Sequence, residues 1–192
     1  MSLRTRLFQF HAQRFAKRLP RQKQFVDYAH ASSFLIIDEC APAENYATIE
    51  HLAHNLRKDN KQVTVVEYVH QKQHTAPATA DFVIFDKSQT TLWGRPDDMV
   101  LAIVEKQQFD IVIDLTQRPR LPLRYVALHA NARCKISGYL DDYNLSDFII
   151  EISDKQQSNK QNSKYEDTRN EYRKILFAEV IRYLQAIRQS QP

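Results

Sequence analysis

The strongest constraint on the fold is the run FDIVIDL at residues 109–115, where β-favouring apolar residues stand side by side. A strand with one face in water alternates apolar and polar residues, so an unbroken apolar run predicts a strand that is covered on both faces. Such strands lie in the middle of parallel sheets, between layers of helices. The sequence therefore predicts a central parallel strand, and this strand ends at an acid, Asp114.

Short apolar runs alternate with segments of helical period along most of the chain. Strands are predicted at 33–39, 62–68, 81–87, 109–115, 134–140 and 147–152. Helices are predicted at 42–60, 99–107, 120–132 and 171–187. The run at 81–87 is expected at a sheet edge in either direction, because the link before it is too short for a crossover helix. The pattern predicts an α/β fold, a three-layer Rossmann-like sandwich with a mostly parallel sheet and added N-terminal and C-terminal helices.

The N-terminal segment predicts a basic amphipathic helix, to which we assign residues 1–30. Residues 1–23 hold seven basic side chains and no acid, interleaved with Leu and Phe. This pattern favours a helix that packs its apolar face on its own domain and leaves its arginines in water. Contact with an anionic membrane surface or with RNA is the alternative. Residues 31–192 are expected to form a single Rossmann-like domain with a flexible polar loop at about 155–167.

Composition argues against several common uses of this fold. The 192 residues include only two glycines, Gly94 and Gly138, and neither follows the first strand. Dinucleotide and P-loop sites need glycines where the backbone approaches the phosphates, so we expect no NAD, FAD or P-loop nucleotide and no other cofactor. The histidines and the two cysteines show no diagnostic metal-ligand spacing, so no metal is expected either.

Charge and hydropathy bear on partners and location. The net charge of +4 describes a mildly basic chain, for which nucleic acid is not the expected partner. No segment reaches the roughly 20 apolar residues needed to cross a bilayer, and the first residues lack the pattern of a secretory signal. We expect a cytoplasmic protein with reduced cysteines. A second copy of the chain or another protein is the expected macromolecular partner.

Polar side chains gather where two predicted strands end. Asp38 and Glu39 close the first strand, and Asp114 closes the central one. Ligands of open α/β sheets bind beyond the carboxyl ends of the strands, so these acids share one crevice if the two strands are neighbours. The predicted ligand-binding set, for a small anion or a sugar, is Asp38, Glu39, Asp114, Thr116, Arg118 and Arg120. The alternative, which we favour, is that the acids only cap helices or mark the end of burial, and Asp114 in particular is expected to close a buried strand.

Several segments carry a resemblance to known proteins. IIDE, IEHLAHNLR, FDIVIDLT, PLRYVALHANARCKISGY and YNLSDFIIEI together resemble an uncharacterised family of short bacterial Rossmann-like proteins, a domain of unknown function, over about residues 33–152. FDIVIDL and the loop, helix and strand after it are also similar to the N-terminal acceptor-binding half of heptosyltransferase-type glycosyltransferases of the GT-B fold. That likeness implies that residues 114–120 and the loop at 38–44 face an acceptor cleft, without a second Rossmann domain to hold a nucleotide sugar.

Function is predicted here mainly from missing motifs. The sequence contains no phosphate loop, metal motif or G-x-S-x-G nucleophile elbow. We therefore expect a noncatalytic Rossmann-like module that binds a protein or a small ligand. The alternative is a small enzyme or a degenerate glycosyltransferase-like half domain. In that case Asp38 or Asp114 acts as the base, and Arg118 or Arg120 holds an anion.

Overall fold

The computed structural model describes residues 3–18, 21–40, 47–70, 81–139, 145–152 and 165–187. Within these residues six strands form one sheet: β1 Ser33–Cys40, β2 Gln62–Val69, β3 Phe82–Asp86, β4 Phe109–Asp114, β5 Ala132–Ser137 and β6 Phe148–Ile149. The same ranges contain five α-helices: α1 Leu3–Arg18, α2 Ala47–Lys58, α3 Asp98–Glu105, α4 Leu121–His129 and α5 Tyr165–Ala186. A short 3-10 helix, Lys87–Gln89, follows β3.

The sheet is parallel throughout, with the strand order β3-β2-β1-β4-β5-β6. β1 and β4 lie side by side at its centre, and Phe34 pairs with Ile111. The predicted central strand and the Rossmann-like α/β sandwich are therefore confirmed. β3 is a parallel edge strand, which settles the direction that the sequence left open.

Helices cover both faces of the central strands, which explains their unbroken apolar runs. Phe34 and Ile36 belong to the core under α2 and α5. Leu35 and Ile37 point to the other face and pack with residues of α3 and α4. Because successive strand side chains point to opposite faces, both faces of β1 need apolar residues. All four of these side chains are 0% exposed.

α1 adds a layer outside α3 and α4. Phe8 and Ala12 are fully buried and pack with Leu101 of α3 and Tyr125 of α4. The rings of Phe8 and Tyr125 meet edge to face with 4.9 Å between their centroids. The expected docking of this helix on its own domain is therefore seen, and its other face points away from the protein.

Several predicted boundaries are wrong; α4, for example, ends at His129 instead of residue 132, and β5 ends at Ser137 instead of residue 140. α1 ends at Arg18 instead of reaching residue 30, which fits the proline at position 20, because helices usually stop before the residue that precedes a proline. α5 begins at Tyr165, so the end of the predicted loop at 155–167 is helical, while residues 153–164 lie outside the described residues. β6 is shorter than 147–152, since its partner β5 ends at Ser137 and offers no further ladder.

α5 crosses close above the end of β5. A Cβ atom at Gly138 would lie 2.1 Å from the Tyr172 hydroxyl and 2.8 Å from Leu176 Cδ2, both on α5. Only glycine allows this close approach, and the approach brings the first turns of α5 over the carboxyl edge of the sheet. No helix among the described residues is long and apolar enough to span a bilayer.

Candidate functional site

The predicted site residues lie at the carboxyl edge of the sheet because β1 and β4 are parallel neighbours. Ile37 of β1 is the ladder partner of Asp114, the last residue of β4. Asp38 and Glu39 follow directly on β1, and the loop at 115–120 follows β4. The topology thus brings both predicted clusters of polar residues to one end of two adjacent strands.

Asp38 is 1% exposed, and α5 supplies the opposite charge. Arg173 Nη2 lies 2.7 Å from Asp38 Oδ2, and the same nitrogen donates a hydrogen bond to the Glu39 carbonyl. Burial raises the pKa of Asp38 to about 7, while the Arg173 charge acts in the opposite direction. The geometry makes Asp38 one half of a buried ion pair between β1 and α5.

Glu39 forms the second ion pair of this edge. Arg120 Nε donates to Glu39 Oε2 over 2.7 Å, with 12% of the Glu39 side chain and 42% of the Arg120 side chain exposed. Arg120 precedes α4 at the N-cap position but forms no capping hydrogen bond there. An arginine side chain has no acceptor with which to cap a helix, so the guanidinium extends to the carboxylate instead.

The Asp114 carboxylate accepts hydrogen bonds from Thr116 and Tyr139, both in the described part of the chain. Oδ1 accepts from the Thr116 backbone N–H at 3.0 Å and from the Thr116 hydroxyl at 2.6 Å. Oδ2 accepts from the Tyr139 hydroxyl at 3.0 Å. A carboxylate that binds the amide two residues onward forms an Asx turn, which reverses the chain locally. These contacts support the interpretation that Asp114 closes a buried strand.

A narrow cleft lies at the carboxyl ends of β1 and β4. Among its lining residues are Asp38, Glu39, Thr116, Arg118 and Arg120, so five of the six predicted residues meet there. Its volume is about 10 Å³, which is room for about one water molecule. Asp114 is the exception, because its side chain lines a separate cavity of similar size with Ser137 and Tyr139.

Sequence reasoning missed the two arginines that α5 brings to this edge. Arg169 also lines the cleft, and the side chains of Arg169 and Arg173 are 8% and 2% exposed. A signal was present, because Arg169, Arg173 and Leu176 follow one another at helical spacings of four and three. Charged residues within an apolar helix stripe indicate a buried partner, although the sequence does not identify which acid it is.

Lys135 is a further buried basic residue that the sequence analysis did not single out. Its Nζ donates to the Ala127 carbonyl at 2.5 Å, and burial lowers its pKa to about 7, helped by the nearby Arg21 charge. It lines the small cavity that contains Asp114 and also a wider one of about 840 Å³ that Arg21 and His129 border. The available signal was a lysine between two apolar residues, Cys134 and Ile136, of a predicted strand.

Fold and site together define a Rossmann-like α/β domain, and the sequence between β1 and α2, residues 41–46, contains no glycine. Charged side chains from β1, α4 and α5 close its carboxyl edge. The chain belongs to a family described as "Family of unknown function (DUF6913)", whose model matches residues 8–165. No protein of curated function and no solved structure matches the chain significantly.

We expect Asp114→Ala to lower the free energy of unfolding by about 2–4 kcal/mol, because it removes the acceptor of the buried Thr116 amide and hydroxyl and of the partly buried Tyr139 hydroxyl. Asp114→Asn keeps one acceptor oxygen and should cost less. Urea unfolding of both variants and the wild type measures the difference. An Ala variant as stable as the wild type would show that these hydrogen bonds do not hold the strand end.

We expect the stability difference between Lys135→Met and the wild type to depend on pH. The folded-state pKa of Lys135 is about 7 against 10.5 for an ordinary lysine, so between these values the unfolded wild type binds a proton that the folded protein lacks. Wild-type stability therefore gains from rising pH, by about 1.4 kcal/mol per unit of pKa shift. The Met variant has no such gain, so its stability relative to the wild type should fall across this range.

Urea unfolding of both proteins at several pH values checks this expectation. Lys58→Met, at an exposed position on α2, is the control for general effects of removing a lysine. A pH-independent difference between Lys135→Met and the wild type would mean that the buried amine keeps its charge.

Proposed function

We propose that this protein is a noncatalytic binding module that takes a small anion, such as a phosphate or carboxylate group, at the carboxyl edge of its sheet. The observation that carries this proposal is the arginine-rich cleft between β1 and β4, which α5 covers. The cleft is too small for a substrate but open to a single ligand atom.

The contacts of the acids support a noncatalytic role. A general base must reach a substrate proton within hydrogen-bond distance. Asp38 is engaged with Arg173, Glu39 with Arg120, and Asp114 with Thr116 and Tyr139. For any of the three to act as a base, its present partner must leave and space for a substrate must open.

The charge of the edge supports an anion as the ligand. Among the described residues, two carboxylates, those of Asp38 and Glu39, lie at the cleft. Four arginines line the cleft or pair with these acids: Arg118, Arg120, Arg169 and Arg173. Positive charge therefore exceeds negative charge. Guanidinium groups bind phosphate and carboxylate through paired charge-assisted hydrogen bonds.

The size of the cleft limits how such an anion binds. About 10 Å³ admits one oxygen atom, so the rest of the ligand must stay at the rim. Arg118 is exposed at this rim and forms no ion pair with another described residue. We assign it the role of the outer contact, with Arg120 and Arg169 deeper in the cleft.

We expect inorganic phosphate to bind saturably and to shift the backbone amide NMR signals of residues 116–118 more than others. Arg118→Gln should weaken this binding about tenfold, since one charge-assisted hydrogen bond contributes about 1.5 kcal/mol or more. Lys58→Gln is the matched control, because Lys58 is exposed on α2 and distant from the cleft lining. No saturable shift at these amides, or equal affinities of Arg118→Gln and wild type, would refute the anion site.

The alternative, a small enzyme or a degenerate glycosyltransferase-like half domain, makes a different demand on the molecule. It requires α5 to move away from the edge so that an acceptor sugar can reach Asp38 or Asp114. Catalytic turnover of a sugar or nucleotide by the intact chain, lost in a variant of either acid that still folds, would replace the noncatalytic proposal.

A further inference from the structure

One face of α1 combines basic and apolar side chains that all point into solvent. Leu3, Arg6, Phe10, Arg14 and Lys17 follow one another at spacings of three and four and therefore share a helix face. All five are exposed, and 68% of Leu3 and 52% of Phe10 are accessible. Arg14 confirms the shared face, because its guanidinium carbon lies 5.4 Å from the centre of the Phe10 ring. We call this set the outer face of α1.

A second group of exposed apolar residues lies at the start of α3. Leu92 and Trp93 occupy the two central positions of a turn that the Gly94 amide closes by donating to the Thr91 carbonyl at 2.8 Å. Leu92 is 87% exposed and Trp93 44%, and Met99 in the first turn of α3 is 80% exposed. Turn tips usually carry polar residues, so this apolar tip, Leu92, Trp93 and Met99, is unusual.

The outer face of α1 and the apolar tip lie on the same side of the molecule. Arg95, two residues after Trp93, borders a groove of about 380 Å³ together with Phe10 and Arg14 of α1. A Cβ atom at Gly94 would lie 3.1 Å from Leu121, which packs in the cluster that contains Phe8 of α1. The turn and the helix thus flank one groove.

We propose that the outer face of α1 and the apolar tip form a peripheral binding surface for anionic lipid bilayers. α1 contains five basic residues and no acid, and three of them, Arg6, Arg14 and Lys17, belong to its outer face. Asp97 and Asp98 are the acids near the tip; Asp97 caps α3 and Asp98 pairs with Arg95. Basic residues attract anionic headgroups, while exposed leucine, methionine and aromatic side chains enter the acyl boundary.

Charge and side-chain type favour a bilayer over the two other occupants. Single-stranded nucleic acid would use the arginines and stack on aromatic rings, but Leu3, Leu92 and Met99 offer it neither charge nor a stacking plane. A second copy in a two-fold contact would place the basic face of α1 against itself, and like charges repel. A bilayer interface takes up both kinds of side chain, and tryptophan is enriched there.

Trp93 provides a direct test, because it is the single tryptophan of the chain. Its fluorescence emission should shift to the blue when the full chain is mixed with vesicles of phosphatidylcholine and phosphatidylglycerol. Vesicles of phosphatidylcholine alone should leave the emission unchanged, and added salt should reverse the shift. Lipids brominated on the acyl chains should quench the emission, since the ring would lie at the acyl boundary.

Variants separate the two parts of the surface. Arg6→Gln combined with Lys17→Gln should weaken binding to the anionic vesicles about 30-fold, at roughly 1 kcal/mol for each basic residue near the membrane. Leu92→Gln combined with Met99→Gln should abolish the blue shift. Both pairs are exposed, so the fold should be retained. Lys58→Gln and Ile187→Gln, an exposed lysine and an exposed isoleucine elsewhere, are the matched controls.

The inference is independent of the proposed anion site, and Arg118→Gln should bind vesicles like the wild type. An emission spectrum that anionic vesicles leave unchanged would overturn the lipid proposal. Equal binding to vesicles with and without phosphatidylglycerol would also overturn it. So would control variants that lose as much vesicle binding as the variants of the proposed surface. Binding to single-stranded RNA without binding to vesicles would assign the surface to nucleic acid instead.

Discussion

The buried ion pair between Asp38 and Arg173 determines how the C-terminal helix sits on the sheet. Two charges that leave water lose hydration worth several kcal/mol each, and only a close, well-placed opposite charge compensates for this loss. Their 2.7 Å contact joins β1, a central strand of the sheet, to α5, which begins more than a hundred residues later in the sequence. Removing Asp38 would leave the buried Arg173 guanidinium without its counter-ion, and removing Arg173 would favour the neutral form of Asp38. The pair therefore fixes α5 over the carboxyl edge.

The position of α5 changes what a Rossmann-like fold can do at its usual ligand site. In open α/β sheets the crevice beyond the central strands normally receives the ligand. Here the side chains of Arg173, Arg169 and Arg120 occupy much of that space, and the acids beneath them serve as their counter-ions. What remains is a cleft the size of one water molecule with an arginine at its rim. The proposed anion site rests on this small cleft and on the arginines that line it.

Local patterns in the sequence were sufficient to predict the sheet and to predict that polar side chains of β1 and of the segment after β4 meet at its carboxyl edge. The apolar run ending at Asp114 predicted a central strand, and the parallel topology then brought Asp38, Glu39 and Arg120 together. The contacts within the site could not be predicted, because Asp38 meets Arg173 only through the docking of α5. Similarly, the hydrogen bond from Tyr139 to Asp114 depends on a loop conformation, and hydrophobic periodicity does not predict loop conformations. β6 is shorter than the predicted strand for a related reason, since its length depends on where its neighbour β5 ends.

A double-mutant cycle between Asp38 and Arg173 tests the central claim most directly. The free energies of unfolding would be measured for Asp38→Asn, Arg173→Met and the combination of both, with the wild type as reference. We expect each single change to cost about 3–5 kcal/mol and the double change to cost little more than one of them, which gives a coupling energy of several kcal/mol. Additive costs, with a coupling energy below about 0.5 kcal/mol, would contradict it, because the two side chains would then be stabilised independently.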